Sequence, residues 1–345
     1  MGVPNEFVVE VRYRCADIDP AEWDGVVAAA GAPVFYSHAY LAAYERDPLG
    51  RIEGFAYLLV RRRRGGSVVA VAPLYYQQYP DPLGCLYAAY PEAAGSPALL
   101  THVWHCYDGQ LASAVGPGPV LAAVLKGMRK VGSQFGARWC GLVNVERSGA
   151  TAQALRAAGQ PMRHLMDRFV ADLDGLTDLD SYLARLGERA RANLRRNARR
   201  AAEAGALARV RPVGDVDLDE IAALCERTAA RFGNTGFYPA GRFGRFVTAL
   251  VPSVRVIEVR QVTRLVAVGV CLTDSVRFHT WTCGVDYAVD GRFSPYAVLF
   301  AESVALALQL RRPILEGGRS NAEFKERHGL RARPLDAVLV AVGAE

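Results

Sequence analysis

The sequence predicts an α/β protein with α+β mixed sheets, built of two domains in tandem. Three observations predict it. The chain has 345 residues, more than one typical domain and enough for two of ordinary size. Hydrophobic residues make up 51% and charged residues 22%, a globular balance with ample core material. One order of elements (hairpin, helix, strand, short helix, strand) occurs twice, roughly 170–200 residues apart, a spacing of domain size. The halves are placed at 1–174 and 175–345. Identity between them is weak, so the repeat rests on element order, and two unrelated mixed domains are the competing reading.

In the first half, Phe7 to Tyr13 alternates and predicts a strand. Asp17 to Ala30 predicts a helix, with Asp17 or Asp19 as cap and Pro20 early in it. Ser37 caps a second helix, in the stretch Pro33-Val34-Phe35-Tyr36-Ser37-His38-Ala39-Tyr40-Leu41. Gly54–Val60 and Ser67–Tyr76 are strands joined by the basic turn Arg61 to Gly66. Tyr79 to Ser113 has weak periodicity and reads as a long irregular excursion. Pro119–Gly136 is a helix, Trp139–Val145 a strand, Gly149–Ala158 a short helix and Arg168–Leu173 a strand. In the second half, Leu218–Phe232 is a helix. Val254–Val259, Leu265–Leu272 and Val276–Cys283 are strands. Pro295–Leu310 is a helix, Pro313–Leu315 a strand, Ala322–His328 a short helix and Pro334–Val342 the last strand. Asp286 and Asp290 take turn or cap roles before the Pro295 helix.

Between the halves lies the most polar segment, a basic helix over about 180–205. Leu183, Leu186, Ala190, Leu194 and Ala198 recur on one stripe, and Gly205 ends the helix. Arg185, Arg189, Arg191, Arg195, Arg196, Arg199 and Arg200 occupy the rest. Snorkelling arginines on a solvated face are one reading. Charges of one sign repel along a helix, so an anionic partner, a phosphate-rich ligand or an RNA backbone, is the favoured one. The net charge of +6 agrees in sign.

Near the C-terminus, Pro313-Ile314-Leu315 runs into Glu316, and Gly317-Gly318 lets the backbone turn. A short helix then carries Lys325 before His328-Gly329 ends it. Such a turn can gather N–H groups and a lysine where an oxyanion or phosphate is held. A plain connection with a solvated lysine is the competing reading. His279 and Trp281 share one face of a strand, either lining a pocket or in the core. His102 and His105 lie three apart in a loop without a second ligand pair, so no metal site is expected. Seven singly spaced cysteines, with no Cys-x-x-Cys, argue for reduced thiols and a cytoplasmic location. No secretory signal is expected from the Met1–Glu6 start, and the longest apolar run, Tyr296 to Leu310, is too short and too amphipathic to span a bilayer.

With these residues in view, the chain resembles the Fem-type aminoacyl transferases, which have two tandem GNAT-like domains. Three patches carry the resemblance. They are Pro33 to Leu41; Arg191 to Arg200 followed by Glu203-Ala204-Gly205; and Leu315-Glu316-Gly317-Gly318 with Phe324-Lys325. The resemblance implies a transferase that hands an amino acid from aminoacyl-tRNA to an amine acceptor, a small molecule or a cell-wall precursor. It implies no metal or redox cofactor. Lys325 is the implied catalytic residue, neutralising the oxyanion or holding a phosphate near it. Glu316 either takes the amine proton or is structural. The candidate substrate-binding set is Tyr36, His38, Asn193, Arg195, Arg196, Arg199, His279, Trp281, Tyr296, Arg319 and Asn321.

The sequence departs from this pattern in two places. Acyl-CoA-dependent GNAT enzymes carry Arg/Gln-x-x-Gly-x-Gly/Ala before a helix. Here the corresponding stretches read Asp290-Gly291-Arg292-Phe293-Ser294-Pro295-Tyr296 and Val115-Gly116-Pro117-Gly118-Pro119, and proline removes a donor. That makes CoA the less favoured donor. The coiled-coil arm of some Fem-type proteins is also missing. Two alternatives stand beside the leading reading: an N-acyltransferase using acyl-CoA or an acyl carrier protein, and a non-catalytic RNA- or anion-binding protein on this fold.

Overall fold

The computed structural model describes residues 6–289 and 291–343. Asp290 and the first five residues, on which two of the expectations above rest, lie outside the described residues. The chain divides into two compact units: residues up to Asp167 together with those from Arg333 onward, and Arg168–Ala332.

The first unit contains β1 (Phe7–Arg12), α1 (Pro20–Ala29), α2 (His38–Arg46), β2 (Gly54–Arg62), β3 (Val68–Gln77), α3 (Cys85–Ala89), β4 (Ala98–Leu100), β5 (Ala112–Ser113), α4 (Pro117–Phe135), β6 (Trp139–Glu146) and α5 (Ala150–Ala157). Strand β7 (Arg163–Asp172) begins in this unit and ends in the second. Asp19 and Ser37 cap α1 and α2 as their sequence positions predict. One face of the sheet packs on α4 through Val120, Leu121, Val124, Leu125, Met128 and Val131, spacings of three and four that make one helical stripe.

The second unit contains α6 (Leu179–Arg185), α7 (Glu188–Glu203), β8 (Ala206–Arg211), α8 (Leu218–Arg231), α9 (Arg242–Ala249), β9 (Val254–Gln261), β10 (Arg264–Thr273), β11 (Arg277–Val285), α10 (Pro295–Gln309), β12 (Ile314–Glu316) and α11 (Ala322–Arg327). Strands β8 to β11 form an antiparallel meander. Helix α10 then carries the chain over, so β12 runs parallel to β11. Residues 170–172 of β7 pair antiparallel with β12. The core under α7 and α10 includes Leu194, Ala201, Phe278, Phe300, Val304 and Leu315.

The last strand, β13 (Arg331–Ala341), pairs with β6 in the first unit. Each unit thus takes in a strand, or part of one, that lies next to the unit boundary in sequence. Two consecutive halves, 1–174 and 175–345, do not describe this arrangement, because a strand's alternation sets which face it buries and not which sheet takes it.

The basic segment also differs from a single helix. Extended backbone at Leu186 and Gly187 splits it into α6 and α7. The buried stripe runs Ala190, Leu194, Asn197, Ala201, so Asn197 and not Ala198 lies inward. Ala206–Arg211, for which no element was expected, is an edge strand, and α9 had no capping signal to announce it. The Tyr79–Ser113 excursion is mostly irregular, as expected. Even so, its residues 101–109 are all buried, and β4 is too short to show a period.

Gly284 on β11 lies against α8. A Cβ there would stand 2.7 Å from Leu224 Cγ and 2.8 Å from the Cys225 backbone nitrogen. Gly284→Ala should therefore cost about 1–3 kcal/mol by overpacking, read as a lower urea midpoint. Gly214→Ala, with nothing within 4 Å, is the control and should change little.

Candidate active site

The site is built from the end of β12. Leu315 faces the core, so Glu316 points to the other side of the sheet and Gly317 back to the first. The ladder to β7 runs on past β12: the Gly317 N–H donates to Phe169 O at 2.8 Å, and the Phe169 N–H to Gly318 O at 3.0 Å. A Cβ on Gly317 would lie 2.3 Å from Leu330 Cδ2 and 3.6 Å from Lys325 Cδ. The absent side chain is what seats the lysine stem. Gly318 then turns the chain at φ +71°, and Asn321 sits at φ +63° just before α11, a left-handed conformation that asparagine tolerates better than most residues.

Helix α11 is short, and its aromatic contacts hold it. The Phe324 ring centroid is 4.9 Å from Tyr296, 5.4 Å from Phe300 and 4.0 Å from His328. The Tyr182 hydroxyl donates to His328 O. Lys325 is thereby carried inward to 4% exposure. Its Nζ donates to Arg319 O at 3.2 Å and stands 5.3 Å from the Phe169 ring centroid. Burial, with a smaller push from the Arg319 charge and against the pull of Cys283, lowers its pKa to about 7. The reading of a solvated lysine does not hold.

Glu316 is 1% exposed and pairs with Arg168 at 3.4 Å. The Thr280 hydroxyl donates to its carbonyl oxygen. It shares the sheet face opposite the lysine's, so the two expected catalytic residues are not brought together. Tyr296 and Asn321 are: the Asn321 side chain hydrogen-bonds the Tyr296 phenol, whose pKa burial raises. Arg319 lies in the same turn, close enough to Tyr238 and Lys325 to influence both. His279 and Trp281 are core residues. His279 is fully buried and bonds Asp274 at 3.3 Å, and Trp281 stacks on Phe243 at 6.0 Å and meets Phe246 at 5.6 Å.

Tyr36 and His38 lie in the first unit and tie its loops. The buried Tyr36 hydroxyl donates to Gln110 O at 2.5 Å and accepts the Gln110 N–H at 2.7 Å. His102 Nε2 lies 2.7 Å from the same oxygen, and burial pushes that imidazole down to about 4. His38 Nε2 contacts Cys15 O at 3.0 Å. His105 Nδ1 contacts the Tyr44 hydroxyl. Among the described residues no group of three or more His, Cys, Asp or Glu gathers as for a metal. All seven cysteines are free thiols, and no helix of the described residues is long and apolar enough to cross a membrane.

On α7, Arg195 pairs with Asp180 at 3.2 Å and Arg199 with Glu203 at 3.6 Å, all exposed. Asn193 offers its carbonyl to Asn197. The inward residue, Asn197, reaches the start of α10: its Oδ1 accepts the Ser294 N–H at 2.7 Å. Beside that junction Arg200 donates to Arg292 O at 3.4 Å. A cavity of about 310 Å³ opens there, lined by Arg200, Glu203, Ala204 and Arg292. Sequence reasoning missed Asn197, although a polar residue one period after Leu194 in an apolar stripe was a usable signal. Arg168, Cys283 and Tyr238 carried no such mark.

Residues 188–326 match the family model described as an acetyltransferase (GNAT) domain. The match begins on the first residue of α7 and ends one residue short of the end of α11. Most of the second unit is thus similar in sequence to a GNAT acetyltransferase domain. No curated protein matches the chain in sequence. Among solved structures, FemX is similar at TM-score 0.64 and 12% identity, over 95% of this chain and 96% of that one. A tandem GNAT protein from the clavulanic acid biosynthesis pathway is similar at TM-score 0.56 and 14% identity, over 98% and 100%. L-PGS from Bacillus licheniformis is similar at TM-score 0.56 and 13% identity, over 92% and 90%. At these identities the likeness is one of fold.

The buried lysine of the second unit gives a pH signature. Its proton affinity is lower folded than unfolded, so between pH about 7 and 10.5 the unfolded chain binds more protons. Lys325 therefore costs stability most below pH 7, and the cost fades as pH rises toward 10.5. Lys325→Met should raise the urea midpoint at pH 6 and converge on the wild type above pH 10. The stability difference should change by at most about 1.4 kcal/mol per pH unit, one proton's worth.

Proposed function

We propose that the protein transfers an aminoacyl group from aminoacyl-tRNA to an amine acceptor, with Lys325 of the GNAT domain as the catalytic group. The observation that carries this reading is the start of α10. A helix N-terminus offers free N–H groups to a diphosphate. Here Asn197 takes the Ser294 N–H, the Ser294 hydroxyl takes the Ala297 N–H, and Pro295 has none to give. Two donors that a CoA diphosphate could use are thus engaged by the protein, and a third position has none. The anion-binding capacity lies instead on the exposed surface of α7, where six arginines face only two glutamates. An extended row of arginines suits a phosphodiester backbone better than one compact diphosphate.

The chemistry follows from the lysine. An amine attacks the ester carbonyl; the new C–N bond forms as oxygen takes the negative charge, and the C–O bond to the ribose then breaks. The ammonium form of Lys325, in a site nearly closed to water, stabilises that oxygen charge more strongly than it would in solution. That ammonium forms as neutral Lys325, which a pKa near 7 makes available, takes the proton released by the attacking nitrogen, and it then returns that proton to the departing ribose oxygen. One residue then serves both needs, and Glu316 is left to hold Arg168 on the far side of the strand.

The test is binding to charged and uncharged tRNA across a salt series, with acetyl-CoA as competitor. Affinity should fall steeply with salt. Arg195→Ala with Arg196→Ala should reduce the slope by about one per arginine, and CoA should not compete. Binding of CoA without tRNA would overturn the reading.

A further inference from the structure

We propose that Tyr287, backed by Arg231, is a stacking platform for the nucleobase of the donor's terminal adenosine. The inference rests on the aminoacyl-tRNA reading and deepens it by naming how the end of the donor is held. Tyr287 lies in the turn after β11 and is 51% exposed. The Arg231 guanidinium, at the end of α8, stands over its ring with Cζ 4.5 Å from the centroid. The arginine stands over the ring, and the residue as a whole stays half exposed. The next residue after Arg231, Phe232, is 62% exposed. An isolated exposed aromatic needs no explanation; this group has a rigid base and a position that suggest one.

The base is the turn itself. The Asp286 N–H donates to Val266 O at 2.9 Å. Its carboxylate accepts the Ala288 N–H at 3.0 Å and Arg264 at 2.6 Å. The backbone that carries Tyr287 is therefore fixed before any ligand arrives, so stacking orders little that was free. Aromatic rings and arginine planes are the groups on which bases stack, and they do so without sequence preference.

The position follows from the strand. Tyr287 is four residues beyond Cys283, so their Cα atoms are at most about 14 Å apart. Tyr287 and Tyr296 both lie close enough to Cys283 for its ionisation to oppose theirs, and Cys283 lies close enough to Lys325 to influence its titration. In an aminoacyl-tRNA the acyl ester sits on the ribose of the terminal adenosine, a few bonds from its base. In CoA the whole pantetheine arm and a diphosphate separate adenine from the thioester. A base platform this near the catalytic lysine fits the first geometry.

Two measurements test the platform. In calorimetry, AMP should bind the wild type, ribose 5-phosphate should not, and Tyr287→Ala should lose AMP binding. In turnover with aminoacyl-tRNA, Tyr287→Ala should raise the donor KM about tenfold and leave kcat at saturation unchanged, while Tyr287→Trp stays within about twofold. AMP binding that is absent, equal in Tyr287→Ala, or matched by ribose 5-phosphate would overturn the proposal. An unchanged donor KM in Tyr287→Ala would do the same. If AMP binding depends on Tyr287 but only acyl-CoA turns over, the platform stands and the tRNA reading fails.

Discussion

The second unit is arranged around the burial of one ammonium group. Taking a charge out of water is costly, and Lys325 answers the cost by giving up proton affinity rather than by acquiring a carboxylate. Each neighbouring feature follows from that burial. Gly317 has no side chain because the lysine stem and Leu330 occupy its space. Asn321 accepts a left-handed backbone to start α11 where the lysine must begin. Phe324 packs among Tyr296, Phe300 and His328, which anchors a helix too short to stand alone. A position that lowers stability and perturbs a pKa is where function is expected.

The acid on the same strand shows how local geometry divides labour. Glu316 and Gly317 are adjacent in sequence but face opposite sides of the sheet. The carboxylate meets Arg168, and the lysine meets the turn. Had the two met, each would have satisfied the other, and the lysine would have kept the proton affinity of an ordinary ion pair. Their separation leaves burial free to lower the lysine's proton affinity.

Much of the fold was legible in the sequence because long periodic segments announce themselves. Helices α1, α4, α8 and α10 lie near their predicted bounds, and so do the hairpins β2–β3 and β9–β10. What was not legible is decided by tertiary contacts. The break between α6 and α7 has no proline, only Leu186-Gly187. Strand β4 is three residues long. The destination of β13 depends on sheet closure and not on its own pattern. In the site, the Gly-Gly turn and Lys325 were readable because glycine and lysine each have few reasons to occupy such places. The roles of His279 and Trp281 were not, since an aromatic and a histidine on one strand face look the same whether the protein's own side chains cover them or a ligand does. Asn197 is the instructive miss: its place in the stripe marked it as buried, and a buried asparagine must spend its hydrogen bonds on something.

The central claim is that Lys325 drives transfer from an aminoacyl ester. The most direct measurement follows a labelled amino acid from charged tRNA into amide product with a panel of primary amines, comparing wild type with Lys325→Ala. The account predicts transfer by the wild type and a loss of about 100- to 1,000-fold in the variant, the scale of removing one group that stabilises an oxyanion. Equal rates in the two proteins, or label that stays on the tRNA while acyl-CoA is consumed, would contradict it.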